Sequence, residues 1–351
     1  MFARLLTSAT VLILALAPAA AVRAQALVVA GEEIADARLM TAAKAEGKVT
    51  VYGGRPTESI KPVIDAFMAD TGLQLDYIRL GSAAMYDRVI AEFSASKLGA
   101  DYADMSDLAL IADWVKRGVL AKHKVPWDAR IPAEIKHPDG YWYYISRSIY
   151  VIGINAAEVA EKDYPKSYAD TLDPKWKGKV GTQTMDSGGS AATLHAFLRV
   201  KLGDDAWKRL AQNEPRIYPN SAPELTDLVR GRIPLAYIDA GSIVTQLQSG
   251  APLKMVFPRE GLAGYGVFGN VTSTAPHPNA ARVWMNYLVS KRGSSEMSKS
   301  ASYGTHPDAT PPSIPGFKFP APSEVWAIAP DRWETIRESW VEEWKKTVLK
   351  N

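Results

Sequence analysis

The residues best suited to chemistry form a run of small polar groups, Asp186-Ser187-Gly188-Gly189-Ser190-Ala191-Ala192-Thr193, directly before a stretch of helical periodicity. Glycines let backbone N–H groups converge, Ser187, Ser190 and Thr193 add hydroxyls, and a helix N-terminus carries partial positive charge. Such a run suits an anion. An ordinary glycine turn with a serine cap has the same composition. Gly53-Gly54-Arg55-Pro56-Thr57 and Gly81-Ser82-Ala83 repeat the design after two successive strands. Three such turns at strand C-terminal ends point to the crevice where open α/β sheets take ligands. Arg147, in Ile145-Ser146-Arg147-Ser148, adds a bidentate anion partner if it faces that crevice, and is a surface charge beside a hinge if it does not.

Catalytic apparatus is not visible. The histidines His123, His137, His195, His277 and His306 show no metal-ligand spacing, and His195 reads as a helix-surface residue. No GxSxG elbow, GxxxxGK[ST] phosphate loop or HExxH helix occurs. With 0 cysteines, disulfides, thiolate metal sites and cysteine nucleophiles are excluded. Binding rather than catalysis is the expectation, with no cofactor and no metal.

The positioning elements follow from pattern. The 351 residues suffice for one large or two medium domains, and 47% hydrophobic with 23% charged residues is ordinary for a globular protein. Lys and Arg (41) nearly balance Asp and Glu (38) without clustering, which argues against a nucleic-acid partner. Residues 1–26 read as a secretory signal peptide: Arg4, an apolar centre Val11–Leu16 too short for the ~20 residues that span a bilayer, and the small-x-small end Ala24-Gln25-Ala26. Lys48–Tyr52 is a strand, and Ile60, Val63, Ile64 and Phe67 line a helix, with Pro62 tolerable only in its first turn. Leu73–Tyr77 and a helix opening at Gly81-Ser82 complete a βαβ start. Tyr150–Ile154, Lys179–Gly181, a helix over 190–202 and Leu235–Ile238 form a second α/β region. Ser221-Ala222-Pro223-Glu224 reads as a capping box. Trp333, Ile336, Trp340 and Trp344 recur at helical spacing as core residues.

The chain resembles a periplasmic solute-binding protein of an ABC importer, in the ferric-iron-binding-like branch of the type II fold (extracellular solute-binding family 1). The carriers are Val49–Gly54, Gly99–Asp104, Ser146–Ser148, Leu172–Val180, Ser187–Gly189, Asn220-Ser221, Pro276–Ala281 and Leu288–Gly293. The resemblance implies two α/β lobes of mixed sheet flanked by helices around a cleft. Lobe 1 would hold 27–148 and 261–351, and lobe 2 would hold 149–260.

Iron-binding members carry adjacent tyrosines where this chain has Gly241 and Ser242, a carboxylate near Ser106 and a histidine near Pro56. Ferric iron wants hard oxygen ligands, which these positions lack. The anion-holding positions remain. The resemblance therefore implies a monomeric periplasmic receptor that closes on a small anionic organic solute, phosphorylated or carboxylated, and passes it to an inner-membrane ABC permease. Ser187, Gly188, Gly189 and Ser190 would hold the anion with Arg147. Gly53, Gly54, Arg55 and Thr57, with Ser82 and Ser106, would close from lobe 1, and Asn220, Tyr237 and Asp239 would line lobe 2. Asp239 is equally read as a loop cap. The alternatives are iron with a synergistic anion, an exported hydrolase and a signalling role.

Overall fold

A computed structural model describes residues 25–349, so the expected signal peptide at 1–26 lies outside it except for its last two positions. A short hairpin, β1 (Leu27–Val29) and β2 (Glu32–Ala35), leads into α1 (Ala37–Glu46). Asp36 caps α1 by accepting from the Leu39 N–H at 2.6 Å, and Gly47 ends it with a φ of 78°, which glycine adopts without penalty. Then come β3 (Lys48–Gly53), α2 (Thr57–Thr71), β4 (Gln74–Arg79), α3 (Ser82–Ser94), β5 (Tyr102–Met105) and α4 (Leu108–Lys116). Pro62 sits inside α2 beyond its first turn, contrary to the sequence expectation. Ile60, Val63, Ile64 and Phe67 still bury one face against Val49 and Val51, which outweighs the proline.

The long strand β6 (Tyr143–Asn155) organises the molecule. It is followed by β7 (Val180–Gln183), α5 (Gly189–Leu202), α6 (Ala206–Gln212), β8 (Arg216–Tyr218), α7 (Ser221–Val229), β9 (Leu235–Asp239), α8 (Ala240–Gln248) and β10 (Leu253–Val256). The chain then runs through β11 (Gly264–Val271), α9 (Pro278–Leu288), α10 (Lys291–Ser298), β12 (Tyr303–Gly304) and α11 (Pro330–Trp344).

Strand order is β4-β3-β5-β11-β6-β9-β7-β8. The outer pairs β3/β4, β3/β5, β7/β8 and β7/β9 are parallel, whereas β11 runs antiparallel to both β5 and β6, and β6 antiparallel to β9. The N-terminal part of β6, 143–149, pairs with β11, and its C-terminal part, 150–154, pairs with β9. One strand thus belongs to two sheet halves. Helices α1, α2 and α9 pack on the first half, α5, α7 and α8 around the second. The fold is the mixed α/β, two-lobed architecture of a type II periplasmic binding protein.

The C-terminal segment touches both halves. Trp333, Val341 and Trp344 do form a buried helix face, but they pack on Met185, Ala192, Trp207 and Ala211 of the second half. Helix α11 bridges the halves: its apolar residues bury against Met185, α5 and α6, and it also lies against α4 of the first half.

Candidate functional site

A small polar pocket lies between the two sheet halves. From the first half it is lined by Gly54, Arg55, Pro56, Arg79, Gly81, Ser82 and Ser106, and from the second by Gln183, Ser187, Ser190, Asn220, Ser221 and Asp239. Tyr150, Tyr265 and Val267, on the strands common to both, form its floor. The starts of α3, α5 and α7 converge here, so their positive dipole ends face one space.

Arg55 is the central charge. Its side chain is only 6% exposed. Nη1 donates to Ser146 Oγ at 2.5 Å and Nη2 to Ser302 Oγ at 2.8 Å, while Nε is buried with no partner. Two serine hydroxyls hold the guanidinium without neutralising it. Its backbone is clamped by Tyr77, whose hydroxyl accepts from the Arg55 N–H (3.1 Å) and donates to the Arg55 carbonyl (2.8 Å). Gly53 makes this possible: a Cβ there would lie 2.2 Å from the Tyr77 ring. Gly53 therefore supports the site without lining it.

The halves touch where α5 begins. Ser190 N–H donates to Ser106 Oγ at 3.1 Å, and Ser106 Oγ lies 3.4 Å from Ser82 Oγ. A Cβ on Gly189 would come 1.9 Å from the Ser106 carbonyl oxygen, and one on Gly188 would meet Ser82 Oγ at 2.8 Å. Both glycines are contact points between the halves. Across the mouth, Arg79 Nη2 reaches Ser221 Oγ at 3.4 Å.

Several expected residues stand differently: Gly53, Thr57, Arg147, Gly188, Gly189 and Tyr237 are not in the cavity lining. Arg147 points away: its Nε donates to Tyr144 Oη (2.9 Å) and its Nη1 to the Pro322 carbonyl (2.8 Å), outside the cavity. It alternates with Ser146 and Ser148 along β6, and those two carry the face that reaches Arg55 and Ser302. Tyr237 is buried, bonded to Thr171 Oγ1 and packed edge-on against Tyr168, beneath α5 rather than in the cavity. Thr57 lies on an outer depression with Glu58 and Thr226, because the chain turns outward after Pro56. Gly54 does line the cavity, but its N–H is committed to Asp104 Oδ1 at 3.1 Å. Asp239 holds both roles, lining the cavity while accepting from the Ser242 N–H (2.9 Å) and hydroxyl (2.6 Å).

Sequence reading missed Arg79, Tyr150, Gln183 and Tyr265. Arg79 closes a strand just before the Gly81-Ser82 turn, a position that could have been flagged; the other three lie inside strands, where only the pairing reveals which face they take. Nor is Glu224 a capping residue. Asn220 caps α7 through the Ala222 N–H (3.0 Å), and Glu224 turns inward, fully buried, to accept from Gln183 Nε2 at 2.9 Å.

Burial dominates the electrostatics. It pushes the Asp104 carboxyl up to about 6, partly offset by the Gly54 N–H and Arg55. It raises Glu224 well above the ordinary carboxylate range and holds the Tyr150 and Tyr265 hydroxyls protonated. The full burial of His195, contrary to the surface expectation, lowers its imidazole to about 4; its Nε2 faces the Gln183 carbonyl at 2.8 Å. Among the described residues, no cluster of three or more His, Cys, Asp or Glu could hold a metal.

A fold of this kind, with polar donors from two halves facing one space, defines a solute-binding protein. The profile of bacterial extracellular solute-binding proteins matches residues 98–326, and the chain belongs to that family. An uncharacterized protein of Haemophilus influenzae is 25% identical over 270 residues, 72% of this chain and 75% of its own. The Fe(3+)-binding periplasmic protein of Serratia marcescens is 21% identical over 267 residues, 72% and 76% of the two chains. Among solved structures, the periplasmic binding protein AfuA of Actinobacillus pleuropneumoniae, with fructose-6-phosphate bound, superposes with a TM-score of 0.72 at 18% identity, covering 86% of this chain and 98% of that one. Iron-bound HitA of Pseudomonas aeruginosa gives 0.68 at 20% identity, covering 86% and 99%. Family and neighbours are binding proteins, not enzymes.

Proposed function

We propose that this solute-binding protein of the ABC-transporter type captures a small anionic organic solute in the periplasm, between two closing lobes, and delivers it to an inner-membrane permease. The lobes would divide as the sheet halves do, with α11 bridging them. The observation that carries this reading is Arg55: a residue lining the space where three helices begin, with a buried guanidinium held by neutral hydroxyls and an unpartnered Nε. A buried cation bonded only to hydroxyls, with the Asp104 carboxylate close enough to act on it but not bonded to it, is costly unless a further anion completes it. Donors drawn from both halves favour the closed state only when the solute is present. The Tyr150 and Tyr265 hydroxyls, which burial keeps protonated, can serve an organic anion as donors. The AfuA and HitA likenesses span both chemistries, and the residues lining this cavity support the organic anion.

The test is mass spectrometry of solute co-purifying from periplasm, followed by thermal-shift titration with phosphate esters, carboxylates, polyamines and ferric iron. Stabilisation by organic anions supports the reading. A visible charge-transfer band with iron, and no response to any organic anion, would overturn it.

A further inference from the structure

We infer that Arg337 of α11 is a positioning residue that latches the two halves in their closed arrangement from outside the ligand cleft. The inference rests on the closing-lobe reading above and deepens it. Helix α11 buries Trp333, Val341 and Trp344 against Met185, Ala192, Trp207 and Ala211 of the second half, and its middle also lies against α4 of the first. Ion pairs Glu343–Arg199 (2.7 Å) and Lys345–Asp186 (2.8 Å) lie along the same seam. From this anchored helix Arg337 crosses to the first half, where Nε and Nη2 meet Asp107 Oδ2 at 2.9 and 2.8 Å.

Asp107 is 1% exposed and caps α4 with its other oxygen, accepting from the Ala109 N–H at 3.2 Å. It directly follows Ser106, the hydroxyl that accepts from Ser190 N–H across the cleft. The cation is thus carried by one half and the anion by the other, next to the contact that brings ligand donors together. A hinge movement on β6 and β11 separates Arg337 from Asp107 while leaving the tryptophan anchor intact. The pair forms only on closure, so it adds to closure whatever the solute is. The matched family region ends at residue 326, before α11 begins.

The absence of cysteine allows a test without ligand. Spin labels on Lys61→Cys and Arg230→Cys, both exposed, report the distance between halves. A second pair on Lys208→Cys and Glu342→Cys reports whether α11 remains docked. Arg337→Ala is expected to shift the closed-to-open ratio of the ligand-free protein about tenfold toward longer distances, with the docking pair unchanged and Arg337→Lys partly restoring closure. An unchanged Lys61–Arg230 distribution overturns the latch. So does displacement of the docking pair, which would make Arg337 a mere anchor of its own helix. Because no solute is added, the outcome is independent of whether the anion reading holds.

Discussion

Gly189 and Ser106 approach so closely that a Cβ on the glycine would lie 1.9 Å from the serine carbonyl oxygen. They stand on opposite halves of the molecule, so the absence of a side chain at 189 sets how near the start of α5 can come to the opposing wall. The backbone of 106–107 cannot yield as a flexible side chain would.

Gly189→Ala is therefore expected to hold the halves apart while each half keeps its own core. The affinity for the co-purifying solute should fall about tenfold or more, in line with the 1–3 kcal/mol typical of overpacking. Calorimetry gives the affinity, and small-angle scattering should show the liganded variant more extended than the parent. Undiminished affinity would mean that the halves do not close at this contact.

Arg55 and Arg147 should separate cleanly. Arg55→Ala removes the buried guanidinium of the cavity and should weaken binding by about 1.5–3 kcal/mol. Arg147→Ala, whose partners are Tyr144 and the Pro322 carbonyl outside the cavity, should leave affinity within about twofold. The reverse pattern would place the solute on the other face of β6.

Two buried groups give the stability opposite pH dependences. The His195 imidazole is lowered from 6.5 to about 4, so its contribution is present above pH 6.5 and lost as pH falls through 4. Asp104 is raised from 3.8 to about 6, so its contribution is present below pH 3.8 and lost as pH rises through 6. Each is on the order of 3 kcal/mol. Denaturant titrations from pH 4 to 7 should show a steeper rise with pH in Asp104→Asn and a flatter one in His195→Gln. Identical slopes in all three proteins would refute both assignments.

The fold was legible because its signals are local. Alternation in Lys48–Tyr52 and the 3.6-residue spacing of Ile60, Val63, Ile64 and Phe67 mark a strand and a helix without knowledge of their partners. The glycine-serine turns likewise announced Gly54, Ser82, Ser187 and Ser190 as cavity residues, since a turn at a strand end exposes its backbone by construction. Facing was not legible. Arg147 and Ser146 are adjacent, and only pairing with β11, which shifts register between Val267 and Phe268, decides which of them looks toward Arg55. Arg55 itself was read as one member of a glycine turn. Its prominence comes from Ser302, 247 positions away, and from Tyr77 lying over Gly53, and neither contact has a sequence signal. Glu224 misled for a related reason: the S-x-x-E spacing is real, but burial beside Gln183 redirected the carboxylate.

The insertion of β11 between β5 and β6 bears on how the chain must assemble as it emerges from its N-terminus. Until residue 271 is available, the inner edges of β5 and of the first part of β6 have no neighbour to pair with, although everything between them in sequence can already have condensed. Completion of the central pairing waits for the last third of the polypeptide. In that interval two unsatisfied strand edges are open to self-association, and whatever shields the incomplete chain must act until then.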